Sequence, residues 1–281
     1  MKNVLRTLVF DKQVSLTLAE TTDIVNEGIR LHELTPASAI VFGKAISAMT
    51  FASAALKMEV GEISLSMQCD GEVAGIGVSG NQALRLRGYI QNPFAEGDES
   101  ACLGENGVLT IIRDDGYRRP FVGTSAFSKN SGIDGAFEEY YRTSEQLPTY
   151  IKTRVELEEN GNCAFAGVAV LQPLPFAEDE VLETAAKYPL NELLDSIRDL
   201  GLEQTAKSRF DVDTCVWDMR KAEYKCNCSK NYLSRVLFTL GEEELRKIIN
   251  EDGVIKVHCH YCNTDYAFVE RDIDELFAKK E

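Results

Sequence analysis

Positive charge is in short supply in this sequence. Lysine and arginine number 30 against 45 aspartates and glutamates, a formal net charge of -15. A surface of that sign repels phosphate backbones and anionic lipid alike, which argues against nucleic-acid and membrane partners. Histidine is scarcer, with 3 in 281 residues, and two of those flank one cysteine in His258-Cys259-His260. His32 is the only other, so no Ser/His/Asp triad is readable and no residue is given a catalytic role. The chain opens Met1-Lys2-Asn3-Val4-Leu5-Arg6, without the apolar run and small-residue cleavage site of a secretory signal. The most apolar stretch, 36–56, is Ala-rich and interrupted by Lys44 and by Ser and Thr. It reads as a buried core helix rather than a membrane span. No internal repeat or low-complexity tract stands out.

Cysteine is not scarce. Of the 8, Cys69, Cys102, Cys163 and Cys215 stand singly, while Cys226, Cys228, Cys259 and Cys262 are clustered. A disulfide-stapled secreted protein would be smaller and more evenly laced with cysteine. The pattern suits a reducing cytoplasm, where close thiol pairs bind metal or do redox work.

Hydrophobic periodicity divides the chain into three parts: 1–176, 177–224 and 225–281. The first is α+β with antiparallel sheet. Strands are expected at 4–10 and 14–18, a helix from Asp23 to about Leu34 and the Ala-rich helix from Pro36. Period-two patterns come next at 63–67, 84–90, 108–112 and 117–125. A helix is expected over 134–146, then a hairpin of 150–157 and 163–171 across Asn160-Gly161. Gly75-Ile76-Gly77-Val78-Ser79-Gly80 matches G-x-G-x-x-G, but a dinucleotide site needs a helix to start there. The run from Asn81 to Ile90 alternates like a strand, so these glycines are expected in a turn between antiparallel strands. The second part carries three short helical patterns, 178–187, 189–200 and 202–208. Such helices are marginal alone and are stable only when packed on their neighbours.

The third part carries the cluster as Cys226-Asn227-Cys228 and Cys259-His260-Tyr261-Cys262, with two helices, 231–238 and 242–250, between the pairs. Strands are expected at 254–257 and 266–269 and a helix at 272–278. Four thiolates at about 2.3 Å around one Zn²⁺ make a closed tetrahedral site, and each short spacing lets one turn supply two sulfurs. A core this small needs such a crosslink, worth roughly 10–16 kcal/mol of apparent folding free energy. Lys225, Lys230, Lys256, His258 and His260 are cations available to balance the local charge. Four sulfurs already fill the tetrahedron, which leaves the histidines outside it. Zinc-bound thiolates are deprotonated and open to oxidants. The same residues therefore fit a static structural zinc or a redox-sensitive unfolding switch.

The residues that carry the cluster also carry a resemblance. Lys225-Cys226-Asn227-Cys228-Ser229, Val257-His258-Cys259-His260-Tyr261-Cys262-Asn263 and Tyr266-Ala267-Phe268 resemble the redox-regulated thirty-three-kilodalton heat-shock chaperonins. Tyr141-Arg142-Thr143-Ser144-Glu145-Gln146-Leu147-Pro148-Thr149, Leu86-Arg87-Gly88-Tyr89 and Leu171-Gln172-Pro173-Leu174-Pro175 fit the same family, so the likeness spans the chain. It implies a cytoplasmic, ATP-independent holdase, not an enzyme, that binds unfolded client proteins and is inactive when reduced and zinc-bound. Carried over, Cys226, Cys228, Cys259 and Cys262 are the Zn²⁺ ligands. On oxidation Cys226 pairs with Cys228 and Cys259 with Cys262. Zinc release then unfolds the C-terminal module and the 177–224 linker, exposes apolar surface and yields an active homodimer. Cys215 lies outside the motif.

Two other readings compete. One is a zinc-ribbon nucleic-acid module on an α+β domain, which the acidic balance opposes. The other is a thiol-disulfide oxidoreductase using Cys259 and Cys262. Such a motif opens a helix after a strand, whereas Asn263-Thr264-Asp265 reads as a turn.

Overall fold

The computed structural model describes residues 1–57, 61–128, 131–212 and 216–278. Cys215 lies outside the described residues. The chain divides into two compact units, Met1–Tyr224 and Lys225–Glu281.

The first unit opens with a hairpin of β1 (Val4–Val9) and β2 (Val14–Glu20). Helices α1 (Thr22–His32) and α2 (Pro36–Ala54) come after it. Next are β3 (Glu62–Cys69), β4 (Gly75–Asn81), β5 (Arg85–Ile90), the short α3 (Glu99–Leu103), β6 (Asn106–Asp114) and β7 (Phe121–Ser128). Helix α4 (Gly132–Tyr140) runs into a π-helical turn over Tyr141–Glu145, and β8 (Tyr150–Leu157) and β9 (Cys163–Pro173) form the next hairpin. Then come α5 (Asp179–Ala186), α6 (Leu190–Leu200), α7 (Leu202–Arg209) and two short strands, β10 (Asp218–Arg220) and β11 (Glu223–Tyr224).

Two sheets result, one in the order β10-β1-β2-β9-β8 and one in the order β11-β5-β4-β3-β6-β7. Helix α2 packs on β8 and β9 of the first sheet and on β4 and β5 of the second. A helix covered on several sides needs no polar stripe, which is why 36–54 reads as apolar throughout. It is long and apolar enough to cross a membrane, but 83% of that window is buried inside the protein. This is the core helix expected from its Ala, Ser and Thr content.

The first sheet is covered on both faces. Val4, Ala19, Val168 and Val170 join the core around α2, while Leu5, Leu16, Leu18, Ala169 and Leu171 face Leu193, Leu194, Ile197 and Ala206 of α6 and α7. Helices α5 to α7 therefore form a second apolar layer, each too short to stand alone.

Three expectations need correction. Gly75–Asn81 is itself strand β4, buried almost throughout, rather than a turn. Its glycines serve close approach: a Cβ on Gly80 would overlap the Ser53 hydroxyl of α2 and Leu86, and one on Gly77 the Tyr89 ring. No helix starts there, so the glycine motif has no nucleotide-binding geometry. The strand expected from 117 begins only at Phe121, because Asp115 and its neighbours close a turn through hydrogen bonds to the Tyr117 and Arg118 amides. Strands β10 and β11 were not expected. β11 pairs in parallel with β5, an exception to the antiparallel pattern. Two or three residues are too few for period two to register in a sequence.

The second unit contains α8 (Lys230–Phe238), α9 (Glu242–Asp252), the antiparallel hairpin of β12 (Ile255–Cys259) and β13 (Thr264–Phe268), and α10 (Glu270–Ala278). Its core is Leu237, Leu245, Ile249, Ile255, Phe268 and Ile273. That is little apolar burial for a unit of this length, and small domains of this kind depend on a staple.

Candidate metal centre

Two local structures bring the cysteines together. Ser229 caps α8, its Oγ accepting the Tyr232 N–H at 3.1 Å. Cys226 and Cys228 therefore lie just before the positive end of a helix, where thiolate charge is favoured. Cys259 ends β12 and Cys262 lies in the turn that leads to β13, closed by Asn263 at φ 49°. Asparagine tolerates that left-handed conformation better than most residues.

The ligand atoms of Cys226, Cys228, Cys259 and Cys262 all lie within 4.8 Å of one another. Cys226 Sγ is 3.7 Å from Cys259 Sγ, and Cys228 Sγ is 3.0 Å from Cys262 Sγ. The hydroxyl of Tyr266 reaches Cys228 Sγ at 3.1 Å. All four cysteines are half-buried. Four converging sulfurs with no carboxylate among them are the soft, tetrahedral donor set that fits Zn²⁺. The residues present could hold the metal the sequence points to.

The surroundings shift Cys226, Cys228 and Cys262 in different directions. Burial pushes the Cys226 thiol up, with Cys259 adding to it, and burial likewise raises Cys262 to about 11. Burial also acts to raise Cys228, but hydrogen bonds from Tyr266, Cys262, Cys226 and Cys259 outweigh it and bring that thiol to about 7. The site thus favours the thiolate at Cys228 and opposes it at Cys226 and Cys262, an opposition that a divalent cation relieves.

The histidines fall outside the cluster. β12 and β13 pair Cys259 with Thr264, His258 with Asp265 and Val257 with Tyr266. Alternation puts His258 on the face opposite Cys259, where its Nδ1 lies 2.8 Å from Asp265 Oδ1. Of the expected cations, Lys230 is engaged by Asp272 at 2.8 Å. The Cys259–Cys262 segment leads into a hairpin turn and not a helix, so it lacks the geometry of a thiol oxidoreductase motif.

Tyr266 is the site residue that its sequence position did not disclose. Its signal was period two: it shares a strand face with Thr264, the partner of Cys259. The other stretch singled out, 141–149, builds the π-turn. There Tyr140 donates to Glu145 at 2.7 Å, Arg113 pairs with Glu145, and Ser144 donates to the Thr124 carbonyl of β7 at 3.3 Å. It is bonded to the sheet and far from being a free loop. Cys102 and Cys163 are buried and Cys69 half-buried; burial holds the first two thiols up at about 11 and about 12.

Comparison with known proteins places these features. The family model described as Hsp33 protein matches residues 2–269. The 33 kDa chaperonin of Clostridium beijerinckii is 30% identical over 97% of this chain and 97% of its own length. That of Clostridium perfringens strain SM101 is 30% identical over 99% of this chain and 92% of its own. The crystal structure of the 33 kDa chaperonin from Thermotoga maritima superposes with a TM-score of 0.82 at 23% identity, covering 99% of this chain and 98% of that one. At that identity the superposition speaks for the fold.

Proposed function

This chain belongs to the Hsp33 protein family, a family of chaperones, and on that premise we propose that it is a cytoplasmic, redox-regulated holdase. It binds unfolded client proteins, is not an enzyme, and is held inactive when its four cysteines are reduced and zinc-bound. The observation that carries this reading is the convergence of four sulfurs in a unit with six buried apolar side chains among its described residues.

Bound at Cys226, Cys228, Cys259 and Cys262, Zn²⁺ supplies the crosslink that the small core lacks. The residues do the rest. With hypochlorous acid as oxidant, the Cys226 and Cys228 thiolates give up two electrons and close a disulfide, and the oxidant leaves as chloride and hydroxide. Cys259 and Cys262 pair the same way. Four anionic ligands are then gone, and the module loses the contacts that kept it folded. One residue, Lys225, separates Cys226 from strand β11. Unfolding that passes through β11 and β10 reaches α5 to α7, whose layer covers Leu5, Leu16, Leu18 and Leu171 of the first sheet. Uncovered, that face offers the apolar surface on which unfolded clients are held, and on which two active chains dimerise.

The test measures zinc content and suppression of client aggregation before and after hypochlorous acid, or peroxide with mild heat. Zinc release with a rise in anti-aggregation activity is expected. Zinc release with unchanged activity would refute the switch, and turnover of a small disulfide substrate by the reduced protein would favour an oxidoreductase.

A further inference from the structure

We propose that Tyr266 is a positioning residue of the four-cysteine site, holding the Cys228 sulfur by a hydrogen bond and so setting how firmly the site keeps its metal and how readily it yields to oxidants. The proposal rests on the zinc-site reading above and deepens it.

The geometry is local and specific. Tyr266 Oη lies 3.1 Å from Cys228 Sγ, within the reach of a hydrogen bond to sulfur. A metal-bound cysteine is a thiolate and has no proton to give, so the phenol must be the donor. The strand register fixes where the ring stands. Tyr266 pairs with Val257, two residues before Cys259, and Thr264 pairs with Cys259 itself. Tyr266 and Cys259 therefore lie on the same face of the hairpin, across from the Cys226-Asn227-Cys228 segment. One side chain on β13 thereby ties the hairpin half of the cluster to the half that precedes α8. Thr264 adds a second brace, its Oγ1 donating to the Cys262 carbonyl at 3.0 Å.

The chemistry comes from where the donor sits. A hydrogen bond to a ligating sulfur orients its lone pairs and withdraws electron density from it. Orientation favours the metal complex over the free thiol, and lower electron density slows attack on an oxidant. Partners of this kind typically change metal affinity about ten- to a hundredfold.

The experiment compares the full-length wild type, Tyr266→Phe and a chain carrying a monofluorinated tyrosine at 266, a stronger donor. Three readouts are taken: zinc retention against a competing chelator, the sulfur-to-metal charge-transfer band of the Co²⁺ form, and the rate of thiol loss in hypochlorous acid. Tyr266→Phe should lose about ten- to a hundredfold in zinc affinity, shift the Co²⁺ band and oxidise faster; the fluorinated chain should move all three the other way. Should Tyr266→Phe not fold, the fluorinated chain alone decides, because it keeps the ring and the hydroxyl. A wild type that binds one zinc through four cysteines, with both variants indistinguishable from it in band and affinity, overturns the role of Tyr266 and leaves the zinc reading standing. A wild type that binds no zinc overturns both.

Discussion

The side chain of Asn3 holds Ala222 by both of its backbone groups. Asn3 Nδ2 donates to the Ala222 carbonyl at 3.2 Å, and the Ala222 N–H donates to Asn3 Oδ1 at 2.7 Å. One residue near the start of the chain thus fastens the last segment of the first unit, between β10 and β11. Arg220 reinforces it, donating to the Ala54 carbonyl at the end of α2 and to that of Gln82. Tyr224 completes it, its hydroxyl donating to the Gly88 carbonyl at 2.8 Å.

Asn3→Ala removes both partners of a nearly buried backbone unit, at a cost of about 1–3 kcal/mol for each group left unsatisfied. Faster amide hydrogen exchange over 218–224 is expected in the reduced, zinc-loaded protein. Exchange unchanged there would show that the flanking strand pairings suffice.

Leu194→Ala opens a cavity between α6 and the first sheet, where Leu194 is fully buried. The expected loss is about 2–5 kcal/mol of local packing. If the sheet face under α5 to α7 binds clients, this variant suppresses aggregation without oxidant. Light scattering of a thermally unfolding client measures it, and activity no higher than that of the reduced wild type would count against that face.

Chelation should unfold the second unit and leave the core around α2 folded. The six buried apolar side chains among its described residues lack the area of a self-sufficient core, whereas the first unit has the large cluster around α2. Circular dichroism and exchange of the reduced, metal-free chain should show 225–278 losing protection while α2 keeps it. Cys226→Ser should reproduce this in part, with weaker zinc binding.

Gly80→Ala tests the approach of α2 to β4. The added methyl meets the Ser53 hydroxyl and Leu86, and overpacking of this kind costs about 1–3 kcal/mol. A lower urea midpoint with an unchanged denaturant slope is expected.

Glu138 gives a pH signature. Burial raises its carboxyl above the ordinary value, and Asp134 adds to the shift. A raised folded-state value means that the folded chain binds this proton more tightly than the unfolded one. The resulting stabilisation is complete below the ordinary carboxylate range and is lost as pH rises through the folded value. At neutral pH the charged form is a burden, so Glu138→Gln, which can still accept the Ile151 N–H, should be the more stable chain. The difference in thermal midpoint should shrink as pH falls through the raised folded-state value and level off by about 4, the ordinary carboxylate value.

Much of this was legible in order of residue number. The alternation of Ile63, Leu65 and Met67, the Asn160-Gly161 turn and the three helical patterns after residue 177 each rest on local periodicity, and each element stands close to where that periodicity puts it. The cysteine spacings were equally local: C-x-C and C-x-x-C bring two sulfurs together within one turn whatever the rest of the chain does. The convergence of the two pairs was not local, and it came with the β12–β13 register and the Ser229 cap.

The sequence by itself determined most of the elements, the four sulfurs and the acidic balance, because helical and strand periods, short ligand spacings and formal charge are properties of neighbours. Tertiary structure decided what long-range contact alone can decide. It made Gly75–Asn81 a buried strand because α2 needs a flat surface at close range, and it recruited 218–224 into both sheets through partners more than a hundred residues away. It also placed the Tyr266 hydroxyl on Cys228, across 38 residues of chain, since a hydrogen bond depends on where two atoms meet and not on how far apart their residues are numbered.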